Sequence, residues 1–418
     1  LTRLIVDKGQ ADKDFLNQYL EDPAALDVAL QAVDVDKVAA TAGLSRALLE
    51  EAAELLGSAE SVAIVFGADV LKGINAEAAT GALANLALVS GALHGDVGGL
   101  YPIDEKGNIQ GVVDMGLAPE LLPGQQDYAT ARAAFEKAWA VKLPESGRDA
   151  AGILAGIEAG DIKFLYLAGV NPLVGFPESA RWRKALAKVE FLIVQDILSS
   201  ELTAMADLVL PGTSFAEKTG SMTSPDGRVG FLQRAISPLG DARADGDILA
   251  SLLAAMTGTP ALDEAALQEE IKRLCGLYED VCFTGQGRKS CLKSAWQPQP
   301  KGLKLASVAG STSATGLKLL AGNILFQFGT TTTSSEGTCQ VAPAGYIEMN
   351  PADGEACGVK DGGKVKLTTS VGSAQGPVRF SDQLPAGLVF APIHFADVNV
   401  LQAIPAGSNC VKVDVAKA

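Results

Sequence analysis

Three short, almost wholly apolar runs stand out along the chain: Phe164–Ala168, Phe191–Gln195 and Leu208–Leu210. Runs of this length and composition predict strands buried on both faces. Between the first two, Trp182, Ala185, Leu186 and Val189 recur at helical spacing, with Arg183, Lys184 and Lys188 on the other side. That segment predicts an amphipathic helix, and strand, helix and strand make a βαβ unit. The third strand follows after a short Ala-rich connection. Directly after the strand ends come Gly169-Val-Asn-Pro172, Gln195-Asp196 and Pro211-Gly-Thr213. Open parallel sheets bind ligands outside those ends, so residues 164–234 describe a nucleotide-type crevice.

Upstream, residues 1–58 read as mostly helical. Ser45 predicts an N-cap for a helix with Leu48, Ala52 and Leu55 as its buried stripe, ended by Gly57. Val62–Phe66 predicts a strand that ends at Gly67-Ala68-Asp69. Ala76–Leu93 predicts a helix with Ala82, Leu86, Val89 and Leu93 on one face, followed by the glycine-rich loop Gly95–Gly99. Thr130–Lys142, Asp149–Ala159 and Gly246–Thr257 predict further helices. Between residues 258 and 315 the pattern turns irregular and rich in Gly, Ser, Pro and Gln. From Gly316 the periodicity becomes that of strands: Leu317–Phe328, Gly345–Met349, Lys364–Thr369, Gly376–Phe380, Gly387–Pro392 and Cys410–Val415. The expected organisation is a helical segment (1–60), an α/β domain (61–260), a linker or irregular insertion (261–315) and a β domain (316–418).

With 418 residues there is ample core for two or three domains. Hydrophobic residues make up 48% and charged ones 20%, and no apolar run approaches the roughly eighteen residues of a spanning helix. A formal charge of -15 argues against nucleic acid or an anionic membrane surface as partner. Six cysteines form no CxxC pair, and the gaps between Cys275, Cys282 and Cys291 match no common ligand spacing. No metal site and no disulfide framework is expected, which points to a reducing compartment. Motifs for serine hydrolases, P-loop NTPases and zinc proteases are absent. Of the two histidines, His394 is expected to be a structural hydrogen-bonding residue. The chain begins at Leu1 with no signal or twin-arginine segment ahead of its first helix, so the expectation is a fragment of a longer protein.

GVNP, then VQDILSSELTAMADLVLPG, then FAEKTGSMTSPDGRV, in that order and spacing, resemble the molybdopterin oxidoreductase superfamily. Its members include formate dehydrogenases, nitrate reductases and the large iron–sulfur subunit of NADH-quinone oxidoreductase, complex I. The 107–124 stretch, with Asn108, Gln110 and Asp114, is similar to one beside the family's cofactor crevice; its residues alone read as a polar loop that satisfies its own backbone. Asn350-Pro-Ala-Asp353, Gly358–Gly363 and His394–Asn399 resemble the family's C-terminal β-barrel. The resemblance implies an α/β fold with parallel-sheet, Rossmann-like domains followed by that barrel.

It also implies possible pterin-dinucleotide contacts at Asn171, Asp196, Glu217, Gly220, Arg228 and Asn399, while an ion pair of Arg228 with Asp226 or Glu217 is the plainer alternative. Where the family commonly reads G-T-x-x-N-x-E-G-R-x-Q, this chain carries Ser224, Asp226 and Gly230 in place of Asn, Glu and Gln. That erosion resembles the complex I branch most. Under it the chain is a scaffold portion of the iron–sulfur subunit, without a catalytic residue or cofactor of its own. The resemblance then implies iron–sulfur clusters in N-terminal residues outside this chain, other peripheral-arm subunits as partners and a location peripheral to the cytoplasmic face of the membrane. The alternative is a fragment of a molybdenum- or tungsten-dependent formate dehydrogenase holding molybdopterin guanine dinucleotide.

Overall fold

The computed structural model describes residues 1–67, 70–71, 75–93, 98–258, 260, 263–283, 290–295, 297–310, 316–408 and 410–418. The junction at Ala68-Asp69, His94, most of the Gly95–Gly99 loop and segments 284–289 and 311–315 lie outside them. Two compact units emerge, one of residues 1–107, 225–228 and 293–312, the other of 108–224, 229–292 and 313–418.

In the first unit, helices α1 (Thr2–Asp7), α2 (Arg46–Ser58) and α3 (Ala76–Val89) accompany a two-stranded parallel sheet of β1 (Ala63–Gly67) and β2 (Gly99–Ile103). Ser45 caps α2 as its sequence predicts, accepting from the Leu48 N–H at 3.2 Å. The buried stripe of α2 differs, however. Leu48 and Leu55 are exposed, and Leu49, Ala53 and Leu56 pack into the core with Leu4, Ile5 and Val89. The apolar positions of α2 come in adjacent pairs, 48/49, 52/53 and 55/56, so two stripes one residue apart satisfy the same periodicity. On α3, Asn85 grips the backbone of Ala306 through both amide atoms, each at 2.9 Å. A side chain at Gly81 would bring its Cβ within 2.4 Å of the Ser307 carbonyl oxygen, so glycine is what lets this strip lie against the helix.

The second unit holds the predicted βαβ element. Strands β3 (Phe164–Ala168), β4 (Phe191–Asp196) and β5 (Leu208–Pro211) form a parallel sheet in that order, with Phe164 opposite Phe191 and Ile193 opposite Leu208. Between β3 and β4 run the short α4 (Pro172–Gly175) and α5 (Ser179–Leu186), whose Trp182, Ala185 and Leu186 are buried as the spacing predicts. They pack on Leu165, Leu167, Leu192 and Val194. The expectation of strands buried on both faces is corrected here. Phe164 and Phe191 stack with centroids 5.6 Å apart yet remain exposed, as do Leu208 and Val209. Only the face under α5 receives a hydrophobic layer, and Tyr166 and Ile193 on the other face are half-buried.

Residues 317–417 form a mixed seven-stranded sheet. Its strands are β6 (Lys318–Gly322), β7 (Ile347–Met349), β8 (Lys364–Thr368), β9 (Ser373–Phe380), β10 (Leu388–Pro392), β11 (Cys410–Lys412) and β12 (Asp414–Lys417). Their spatial order is β11-β6-β10-β7-β9-β8-β12. The two edge strands, β11 and β12, are consecutive in sequence and joined by the single residue Val413. One residue spans about 3.5 Å, so the edges meet and the sheet must roll on itself, as the expected barrel requires. Alternation drives the roll: Leu319, Ala321, Ile347, Met349, Val365 and Leu367 point inward to a continuous core.

Candidate functional site

Both crevice strands end in residues that turn the chain sharply. After β3, Gly169 adopts φ 66°, and Asn171 then caps α4 by accepting from the Leu173 N–H at 3.0 Å. After β4, Asp196 Oδ1 accepts from Ile197 N–H at 2.7 Å, and Ser200 forms a capping box with Thr203. These ends form one wall of a cavity of about 500 Å³. The other walls come from the C-terminal residues, with Gln327, Thr330 and Thr333 on one side and His394 and Asp397 on another.

The electrostatics of this cavity are acidic. Asp196, Glu201 and Asp397 line it, and among the described residues no lysine or arginine does. Arg183 reaches Glu201 through two charge-assisted hydrogen bonds and holds its carboxyl below the usual range. Asp397 accepts from Gly345 N–H with both oxygens, each at 3.2 Å. The hydroxyls of Thr333 and Ser334 donate back to the Thr330 carbonyl. Gln327 is 1% exposed; its Nε2 donates to Ala342 O at 3.2 Å, whereas its Oε1 has no hydrogen-bond partner. That donation fixes the amide's orientation, because a flip would set two oxygens against each other.

Of the six residues implied by resemblance, five belong to the second unit. Asn171 and Asp196 line the cavity. Glu217 belongs to a capping box, Oε2 accepting from the Ser214 N–H and hydroxyl and Oε1 from Leu239 N–H, which lowers its pKa. Gly220 opens a hairpin strand where a Cβ would meet nothing within 4 Å. Arg228 lies in the other unit, exposed, 3.6 Å from Asp226, the ion pair that the plainer alternative names. Asn399 is buried between elements of the second unit: its Nδ2 donates to Leu173 O at 2.8 Å and its Oδ1 accepts from the Ser179 hydroxyl at 3.2 Å. Asn399→Ala is therefore expected to cost about 1–3 kcal/mol by stranding both partners. Asn399→Asp should cost more, since it sets a carboxylate against a carbonyl. Thermal denaturation of the two variants checks that order, and an Asp variant as stable as wild type would refute the assignment.

Asn108, Gln110 and Asp114 also work inside the fold rather than at the cavity. Asp114, fully buried, accepts from Gln110 Nε2 at 2.8 Å, from Gln125 Nε2, and from the Tyr278 hydroxyl at 2.8 Å. Tyr278 in turn receives Thr223 Oγ1 at 2.7 Å, and the Thr223 N–H donates to Asn108 Oδ1 at 2.8 Å. Burial pushes the Tyr278 hydroxyl well above the ordinary phenol range and the neighbouring Cys275 thiol up to about 11. Cys275 is therefore an inert core thiol. Gln195, at a strand end the sequence singles out, and Lys218, which sequence reasoning missed, form a second polar chain. Tyr166 hydrogen-bonds Gln195, Gln195 Nε2 donates to Asp245, and Lys218 pairs with Asp245. A lone lysine a few residues past a strand end carried no signal of that partner. Among the described residues no three His, Cys, Asp or Glu side chains converge as a metal site would need.

The molybdopterin oxidoreductase family model matches residues 7–255, more than half of the chain. The chain belongs to the molybdopterin oxidoreductase family. A second model, the molybdopterin dinucleotide-binding domain, matches residues 317–413. To that extent it runs against the expectation that nothing in this segment concerns the cofactor.

Among curated relatives, the NADPH-Fe(3+) oxidoreductase subunit alpha of Geobacter sulfurreducens is 41% identical over 100% of this chain and 49% of its own length. The F420-dependent formate dehydrogenase subunit alpha of Methanocaldococcus jannaschii is 27% identical over 96% of this chain and 63% of its own. An NADH-quinone oxidoreductase subunit of Rhizobium meliloti is 29% identical over 88% and 43%. This family member thus spans between two fifths and two thirds of the curated relatives it matches. Acetylene hydratase from Pelobacter acetylenicus superposes with a TM-score of 0.75 at 15% identity, over 100% of this chain and 69% of that one, which shows the shared fold. Among the described residues no helix is long and apolar enough to cross a membrane.

The family's cofactor is a polyanion, and the residues present do not fit it. Its phosphates call for cations or free donors. Here the cavity carries three carboxylates and, among the described residues, no Lys or Arg. The hydroxyls of Thr333 and Ser334 face backbone carbonyls, and a buried unpartnered atom on the wall, Gln327 Oε1, is an acceptor, with the His394 imidazole beside these groups in the lining.

Proposed function

We propose that this chain is the structural half of the large subunit of an NAD(P)H-linked oxidoreductase complex, passing no substrate chemistry through its own side chains. The observation that carries this reading is the 41% identity to an NADPH-Fe(3+) oxidoreductase subunit alpha along the whole chain. The match to a subunit of NADH-quinone oxidoreductase supports the same class, with a quinone in place of ferric iron as acceptor. On this reading the two units serve as a platform for partner subunits and for electron carriers outside residues 1–418. The electron donor is a pyridine nucleotide bound elsewhere in the complex.

Matches to three formate dehydrogenase alpha subunits and two putative formate dehydrogenases over 94–98% of the chain favour a second reading, a formate-oxidising subunit. The experiment that separates them uses the intact protein purified with its natural partners. NADPH or NADH should drive reduction of a ferric chelate or a quinone, and formate should drive none. Formate-dependent dye reduction without pyridine-nucleotide activity would sink the first reading and establish the second.

A further inference from the structure

We propose that the crevice of this chain excludes a pterin dinucleotide by charge, although the chain carries the domain named for binding one. The inference does not depend on which acceptor the complex reduces. Diphosphates are held by fixed cations or by clusters of N–H and O–H groups with no other partner. The cations that follow the crevice strands and several donors of the cavity wall are otherwise engaged. Arg183 is bound to Glu201 through both arms of its guanidinium. Lys218, in the loop after β5, is tied to Asp245 and to the Thr213 carbonyl. The Thr333 and Ser334 hydroxyls donate to one backbone oxygen, and Gln327 Nε2 donates to another. Beyond these the walls set the carboxylates of Asp196 and Asp397 and the acceptor Gln327 Oε1 around the imidazole of His394. A phosphate oxygen placed there meets like charge and lone pairs inside a partly desolvated space, where repulsion is stronger than in water.

The rejecting elements are named side chains, so the inference can be tested on them. Guanosine and GDP are the probes, sharing base and sugar and differing in the diphosphate. Each is titrated by calorimetry into the full-length protein and into its Asp196→Asn, Asp397→Asn and double variants. Asparagine keeps one acceptor for the Ile197 and Gly345 N–H groups, so the loops retain a cap; circular dichroism confirms the fold of each. GDP should bind the wild type no better than guanosine, and the double variant should bind GDP about tenfold more tightly, with the gain shrinking as salt is raised. Guanosine affinity should be the same in all four proteins. Elemental analysis and the fluorescence of oxidised pterin on the natively purified protein complete the test, with neither molybdenum, tungsten nor pterin expected. Near-stoichiometric metal and pterin, or wild-type GDP binding far tighter than guanosine, overturns the proposal. So does a double variant whose GDP affinity is unchanged, since charge is then not what excludes the ligand.

Discussion

Replacing Asp114 with alanine is expected to destabilise the second unit by about 3–5 kcal/mol, the largest single-residue effect outside its hydrophobic core. Asp114 has no exposed surface and accepts from the Gln110 and Gln125 amides and from the Tyr278 hydroxyl. Alanine removes both carboxylate oxygens at once and takes from two amides and a hydroxyl the acceptor they share. Each stranded donor costs about 1–3 kcal/mol. Tyr278→Phe removes one link only, and its expected cost is about 1–2 kcal/mol. The denaturant midpoints of both variants test the pair. An Asp114→Ala protein within about 1 kcal/mol of wild type would mean that water or rearranged amides can replace the carboxylate, and the network would lose its structural role. Cys275 gives a second readout: with Asp114 gone its thiol should titrate lower, because a neighbouring negative charge helps to hold it up.

Leu319→Ala is expected to cost about 2–5 kcal/mol, by loss of transfer free energy plus an unfilled cavity. Leu319 is fully buried, lies on β6 between β10 and β11, and sits opposite Val389 and Val411 in the ladder. Its neighbours belong to strands pinned on both sides, so collapse around the cavity is restricted and the upper half of that range is expected. Leu253→Ala, on the helix Asp245–Thr257, is the control. Leu253 is 57% exposed, and its truncation should change stability by less than about 0.5 kcal/mol. Equal effects from the two would refute the division between a rolled core and an open helix face.

The strands of the βαβ unit were legible because short apolar runs bounded by Gly, Asn and Pro admit few alternatives. Phe164–Ala168 emerges as read, and Phe191 and Leu208 start their strands where expected. What hydrophobicity alone could not reveal was which face is covered, since Phe164, Phe191 and Leu208 are as apolar as their buried neighbours. The stripe of the Arg46–Ser58 helix failed for a related reason, its doubled apolar positions leaving the phase free by one residue. The candidate site was half legible. Asn171 and Asp196 follow from the rule that ligands sit beyond strand ends, whereas Gln327, Thr333 and Asp397 reach the same cavity from more than a hundred residues away. Nothing local marks such residues. Family motifs located Glu217 and Asn399 but not their roles, because a carboxylate that caps a turn and one that holds a ligand look alike in sequence.

Val413, the single residue between the two edge strands of the C-terminal sheet, bears on how the protein is made. The ladders that border the roll, β11 on β6 and β12 on β8, both wait for residues 410–417. During synthesis the five strands before them emerge first, with two open rims exposed together for as long as the ribosome takes to reach Lys417. Open rims of this kind recruit other chains. A stop codon or proteolytic nick just before Cys410 would leave both rims bare at once, so the damage would show first as insoluble protein.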